Sequence, residues 1–188
     1  MRYDVAVVGL GYVGLTLAVA LADTGFKVLG VEKRSDVVDL TNQGRPHFSE
    51  HGLPEMLRHA VEAGDLTASR SFTDDVSADI YVITVGTPLN DDGAARLDFI
   101  EAATREVASN MSDGALVVLR STVKIGTARN VVAPILAATG KQFDIAMCPE
   151  RTLEGRAMSE LRRLPQIVGA DTADTRERAA HFFYKLTP

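Results

Sequence analysis

Cysteine is almost missing: Cys148 stands alone in 188 residues. No internal disulfide can form, so the fold must rest on its core, as suits a reducing cytoplasm. Positive charge is not in excess. The formal net charge is −5, which argues against nucleic acid or an anionic membrane as a bulk partner. Neither a basic patch nor a recognition helix is present. An acidic chain still binds an anion locally, through helix N-termini and one or two arginines. No apolar run approaches the length of a membrane span, so no membrane partner is expected. Met1 to Asp4 lead directly toward a short strand, with no charged-then-apolar leader. His47 and His51 share a loop with no third ligand at recognisable spacing, so no metal is expected. Internal repeats and low-complexity tracts are lacking as well.

What the chain has is a glycine-rich corner. The apolar run Val5-Ala6-Val7-Val8 leads into Gly9-Leu10-Gly11-Tyr12-Val13-Gly14, and Glu32 closes the next apolar run. Strand, turn, helix, strand and acid make up a dinucleotide-binding unit. Gly9 lets the chain turn sharply. Gly11, without a side chain, admits a pyrophosphate to the backbone. Gly14 lets the helix lie close to the strand, and the free N–H groups of that helix face the anion. Glu32 accepts from a ribose diol. It would repel a 2′-phosphate, which favours NAD over NADP although Lys33 and Arg34 follow.

Short, continuous apolar runs recur along the chain at Val5–Val8, Val28–Val31, Ile80–Val85, Leu116–Leu119 and Ile145–Met147. Each reads as a buried parallel strand, and Leu66–Ser69 and Ile167-Val168 are weaker candidates. Helical patterns lie between. Tyr12–Asp23 carries Val13, Leu17 and Leu21 on one face, with Gly25 as its terminator. Pro54–Ala63 follows the long loop Asn42–Pro54. Asp98–Met111 opens on a capping-box-like pair, Asp98 and Glu101. Thr127–Thr139 is broken by Pro134, which should kink it. Pro149–Pro165 should form a loop and a short helix, and His181–Leu186 a last amphipathic helix. Alternation of strand and helix predicts a doubly wound, mostly parallel α/β sheet of the Rossmann type over 1–188. No second domain follows to hold a substrate, so the expectation is the N-terminal part of a longer enzyme.

Ligands of such sheets bind beyond the C-terminal strand ends. Besides the glycine corner and Glu32, those ends carry Gly86-Thr87-Pro88, Arg120-Ser121-Thr122-Val123, and Cys148-Pro149-Glu150-Arg151. Thr87 and Thr122 offer hydroxyls, and Glu150 a carboxylate that acts as base or orders a water. Other readings remain open on these residues alone. Thr122 equally suits the cap of a turn, and Glu150 a surface acid pairing with Arg151 or Arg156. Cys148 reads as a small core residue, with no partner evident to activate its thiolate.

Taken together and in order, the motifs Gly9-Leu10-Gly11-Tyr12-Val13-Gly14-Leu15, Gly86-Thr87-Pro88, Ser121-Thr122-Val123 with Gly126-Thr127, and Pro149-Glu150-Arg151 resemble the UDP-glucose/GDP-mannose dehydrogenase family. The run Cys148 to Gly155, with Leu164 to Gly169, is most similar to members that act on UDP-N-acetylhexosamines. The resemblance implies oxidation of a sugar's primary alcohol to a carboxylate by two NAD, through an enzyme-bound thioester that water hydrolyses. It implies coenzyme contacts from Gly9, Gly11, Tyr12, Val13, Gly14, Glu32, Gly86, Thr87, Pro88, Ser121 and Thr122. Thr122 and Glu150 would act at the reacting centre, and Glu150, Arg151, Thr152 and Leu153 would border the UDP-sugar. The nucleophilic cysteine and a catalytic lysine would lie in a C-terminal half, and the full enzyme would be a homodimer or larger, the isolated domain a monomer. Alternatives are a 3-hydroxyacid or 6-phosphogluconate type of dehydrogenase, and a non-catalytic NAD-binding module. The first does not explain Gly86-Thr87-Pro88 together with Pro149-Glu150-Arg151, and the second predicts a partner-binding or DNA-binding segment, for which the sequence offers neither a basic patch nor a recognition helix.

Overall fold

Six strands build a single parallel sheet in the computed structural model, which describes residues 1–91 and 93–187. Pro188, the last residue of the expected domain, lies outside the described residues. The strands are β1 (Arg2–Val8), β2 (Val28–Val31), β3 (Leu66–Ser69), β4 (Ser77–Ile83), β5 (Ala115–Leu119) and β6 (Phe143–Met147). Their order is β3-β2-β1-β4-β5-β6, and every neighbouring pair runs parallel. This is the doubly wound arrangement, and the order reverses between β1 and β4. The weak candidate Leu66–Ser69 is thus a strand. Ile167-Val168 is not: only Gly169 touches the sheet, in an antiparallel bridge to Met147.

The strands read as continuous apolar runs because both faces are covered. Val5 and Val7 of β1 point into one core, Ala6 and Val8 into the other. The first core is closed by α1 (Tyr12–Asp23), α2 (Ser35–Asn42), α3 (Leu53–Glu62), α6 (Ala157–Glu160) and α7 (Ala173–Tyr184). The second is closed by α4 (Asp98–Asn110) and by a π-helical turn, Ala128–Val132, that runs into α5 (Ala133–Ala137).

Several helices differ from their sequence expectation for identifiable reasons. α1 is not amphipathic about Val13, Leu17 and Leu21; every residue from Gly14 to Ala22 is buried, because α3 and α6 cover the side away from the sheet. The capping box at α4 does not form, since Asp98 pairs with Arg96 at 2.6 Å instead. Pro134 falls in the first turn of α5, where its missing N–H is harmless, and the preceding turn widens to π geometry. α7 starts well before His181, capped by Thr172 Oγ1, which accepts from the Thr175 N–H at 3.1 Å. Among the described residues, no helix is long and apolar enough to cross a membrane.

Candidate functional site

The three glycines of the corner carry three different constraints. Gly9 has φ +95°, open to glycine at little cost, and a Cβ there would crowd Val85 and Thr84 at the end of β4. A Cβ on Gly14 would lie 1.8 Å from the Gly9 carbonyl oxygen, so α1 seats against the turn only because that atom is missing. A Cβ on Gly11 would meet nothing within 4 Å. Packing does not demand glycine at that position, which leaves ligand clearance as the reason for it.

The N-terminus of α1 is built to receive an anion. Its cap residue is Gly11, no side chain caps it, and no acid lies in the first turn. Leu15 N–H is the first to bond inward, to the Gly11 carbonyl at 2.9 Å, so the N–H groups of Tyr12, Val13 and Gly14 face outward. Thr84 braces the turn from below: its hydroxyl reaches the Val8 and Gly9 carbonyl oxygens at 3.0 and 2.7 Å. Sequence reading missed Thr84 because it sits inside an apolar run.

Glu32 lies beside this turn at the end of β2. Its Oε2 accepts from the Leu10 N–H at 2.9 Å and its Oε1 from the Arg34 N–H at 3.0 Å. Each oxygen keeps a lone pair, enough for a vicinal diol. A cavity of about 390 Å³ opens here, lined by Gly9, Gly11, Glu32, Gly86, Phe99 and Glu106 among others. The two cations at its rim are already engaged. Lys33 Nζ lies 2.6 Å from Glu106, and the Arg34 guanidinium forks onto Asp36. Neither cation is left free at the rim, and the carboxylate of Glu32 faces the turn.

The ends of β4 and β5 meet next to it. Gly86 has open space around its α-carbon. Thr87 Oγ1 donates to the Thr122 carbonyl at 2.7 Å, and the Pro88 carbonyl accepts from the Arg96 N–H at 2.8 Å. Thr122 is exposed, and its hydroxyl has no partner among the described residues. Ser121, expected among the coenzyme contacts, is buried. Its hydroxyl turns inward to the Val85 carbonyl at 2.7 Å and ties the two strand ends together.

At the end of β6, Glu150 meets a partner that the sequence did not suggest. Arg120 is 1% exposed, and its Nε and Nη2 lie 2.9 and 2.7 Å from Glu150 Oε2. The other carboxylate oxygen accepts from the N–H groups of Arg151 and Thr152 at 2.7 and 2.9 Å. All four acceptor positions are thereby filled. Burial opposes the charge on Glu150, but the guanidinium and the two N–H groups outweigh it and hold the carboxyl below its ordinary range. Arg120 also donates to the Cys148 carbonyl and to Gln166 Oε1, and lies over the Phe183 ring at 5.0 Å. Neither Arg151 nor Arg156 pairs with Glu150. An arginine that follows an apolar strand reads as a solvent-facing terminator, so sequence reading passed over it. Cys148 is fully buried, and burial pushes its thiol up to about 12, which leaves it no nucleophile at neutral pH.

Arg151, Leu153 and Gly155 are exposed at the mouth of this cleft, with Thr152 half-buried between them. Their backbone is nonetheless anchored. Leu153 N–H donates to Glu160 Oε2 at 2.8 Å, and Arg151 Nη1 to the Pro165 carbonyl at 3.1 Å.

An unobstructed glycine corner, a diol-accepting carboxylate and hydroxyls on the neighbouring strand ends define a dinucleotide-binding domain of the NAD-dependent dehydrogenase kind. The sequence profile described as "UDP-glucose/GDP-mannose dehydrogenase family, NAD binding domain" matches residues 3–187. The UDP-N-acetyl-D-mannosamine dehydrogenase of Escherichia coli (strain K12) is 36% identical over 190 residues, 95% of this chain and 44% of that protein. The NDP-N-acetyl-D-galactosaminuronic acid dehydrogenase of Ralstonia nicotianae is 38% identical over 97% of this chain and 45% of its own length. A crystal structure of the UDP-D-ManNAc dehydrogenase from Pyrococcus horikoshii superposes with a TM-score of 0.93 at 32% identity, over 100% of this chain and 45% of that one. The chain belongs to the UDP-glucose/GDP-mannose dehydrogenase family, and its coenzyme is NAD. It spans less than half the length of the relatives it matches.

Proposed function

We propose that this chain is the NAD-carrying part of a nucleotide-sugar 6-dehydrogenase that oxidises the C6 hydroxymethyl of a UDP-sugar, a UDP-N-acetylhexosamine, to the carboxylate. The observation that supports this reading is that the glycine corner, Thr122 and the Glu150–Arg120 pair follow the C-terminal ends of neighbouring parallel strands of one sheet. The similarity to UDP-N-acetyl-D-mannosamine dehydrogenases supports the choice of sugar. Bound NAD supplies the hydride acceptor, and conversion of alcohol to acid consumes two equivalents and one water. The open backbone at Gly11 and the N–H groups of α1 hold the diphosphate, while Glu32 holds the ribose. Thr122 offers its free hydroxyl to the water. Glu150, a saturated anion, shapes the turn that leads into Arg151, Thr152 and Leu153. The thiol that carries the acyl group comes from outside residues 1–188, since Cys148 is sealed in the core. We place the whole enzyme in the cytoplasm, as a homodimer or larger assembly.

Two measurements test this. In titration calorimetry the chain is expected to bind NAD at least tenfold more tightly than NADP, a difference of about 1.4 kcal/mol. Equal affinities would remove Glu32 from the ribose. In the complete enzyme, UDP-N-acetylhexosamines should give NADH, and Thr122→Ala and Glu150→Gln should each lower kcat by about 100-fold. Full turnover by both variants would take the strand ends of β5 and β6 out of the reaction.

A further inference from the structure

One phenol joins three distant parts of the chain. Tyr12 is the first residue of α1, and its hydroxyl donates to Glu50 Oε2 in a short hydrogen bond. The same hydroxyl accepts from the Gly155 N–H at 2.8 Å and lies 3.3 Å from the Leu153 carbonyl. Gly155 N–H also reaches Glu50 Oε2 at 2.8 Å. Glu50 is 4% exposed, and its second oxygen, Oε1, has no hydrogen-bond partner among the described residues. A buried carboxylate oxygen left bare is costly, so packing alone does not account for an acid at this position. The Tyr12 ring is held by Phe48 at 4.9 Å between centroids, and Phe48 by His47 at 4.9 Å.

The main chain of Tyr12 faces the other way. Its N–H is one of the free donors at the α1 N-terminus, where the coenzyme diphosphate is held. One residue thus touches the coenzyme with its backbone and, with its side chain, the loop that leaves the end of β6. We propose that Tyr12 and Glu50 form a latch that ties coenzyme occupancy of the glycine corner to the position of the Arg151–Gly155 loop. The proposal deepens the reading above and rests on it for what the loop faces, the sugar nucleotide. An anion that stiffens Tyr12 stiffens the loop through two hydrogen bonds, and a ligand on the loop then meets a segment already ordered. The coupling is reciprocal, so a sugar nucleotide tightens NAD by the same factor. Burial first, then the bond to Glu50, pushes the Tyr12 phenol up to about 12, which keeps the hydroxyl protonated as a donor throughout the working pH range.

The test is amide hydrogen exchange on the 188-residue chain, with and without NAD, beside calorimetry. Tyr12→Phe keeps the ring and the N–H and removes only the hydroxyl; Glu50→Gln is the second variant, used if the first unfolds. Saturating NAD is expected to slow exchange over residues 151–156 in the parent by about tenfold and to leave the variant nearly unchanged. Without NAD, the Gly155 amide should exchange about tenfold faster in the variant, while β1 and β5 keep their protection. Equal slowing by NAD in parent and variant, or none in the parent despite a calorimetric binding signal, overturns the latch. A parent chain that takes up no NAD at all overturns the coenzyme site and the latch with it, and calorimetry tells these cases apart.

Discussion

Gly11→Val is expected to strip the chain of NAD while leaving its fold intact. The α-carbon of Gly11 faces open space, with nothing within 4 Å of a Cβ built there. The Cβ of the new side chain therefore has open space, and the branch beyond it extends toward the side where the diphosphate is expected. It also screens the N–H groups of Tyr12 and Val13 from an anion. Calorimetry should show the NAD dissociation constant rising at least about 100-fold, roughly 2.7 kcal/mol, with the melting temperature moved by only a few degrees. Gly14→Ala is the counterpart. Its methyl would stand 1.8 Å from the Gly9 carbonyl oxygen and 2.6 Å from Thr84 Oγ1. Backbone cannot yield as a flexible side chain can, so α1 must lift from the sheet at a cost of about 3 kcal/mol or more. That variant should lose stability first and affinity as a consequence. If Gly11→Val binds NAD normally, the corner is a packing device and the coenzyme sits elsewhere.

Arg120→Met should be the most damaging single change to stability. It leaves Glu150 buried beside an apolar side chain and removes the donors to Cys148 and Gln166 as well. Breaking one side of a buried ion pair costs about 3–5 kcal/mol. In a chain of this size that is a fall of about 10 °C in melting temperature. The pH dependence identifies the cause. In the parent, the Glu150 carboxyl is depressed in the folded state, so its contribution is fully present above the unfolded value near pH 4.3 and is lost as pH falls through the folded value. Without Arg120, burial is opposed only by the N–H groups of Arg151 and Thr152, so the carboxyl rises from its position in the parent. The variant therefore loses less stability than the parent as the carboxyl takes up a proton on acidification. The gap between parent and variant should therefore shrink between pH 7 and pH 4 in urea titrations. Arg120→Met combined with Glu150→Gln should be more stable at pH 7 than Arg120→Met alone, because no buried charge is stranded. A gap that stays constant with pH would mean that Arg120 contributes only by its packing on Phe183.

Some features of this protein are legible because they are local. A left-handed turn at Gly9 is written into the residue type, and the apolar runs that became β1, β2, β4, β5 and β6 needed only their neighbours to be recognised. The strand-end rule assigns Glu32, Gly86, Thr87, Thr122 and Glu150 to one edge of the sheet from the sequence alone. Other expectations failed where a local cue met a stronger distant one. Asp98 prefers Arg96 to its helix end. The polar start of α7 hid a helix whose cap is Thr172 and whose buried side, Ala179, Phe182 and Phe183, joins the core.

The sequence by itself determined the α/β alternation, the glycine corner and the acid at the end of the second strand, since each depends on backbone conformation or periodicity over a few residues. Only the tertiary structure decided how the polar groups of the cleft are shared. Arg120 and Glu150 are 30 residues apart, Tyr12 and Glu50 are 38, and Tyr12 and Gly155 are 143. Such pairs exist only after the parallel sheet has carried the ends of β5 and β6 and the start of α1 to one edge. Until then each group is hydrated and any of several partners would serve; burial removes the water and leaves each group to the partners that the sheet edge brings within reach.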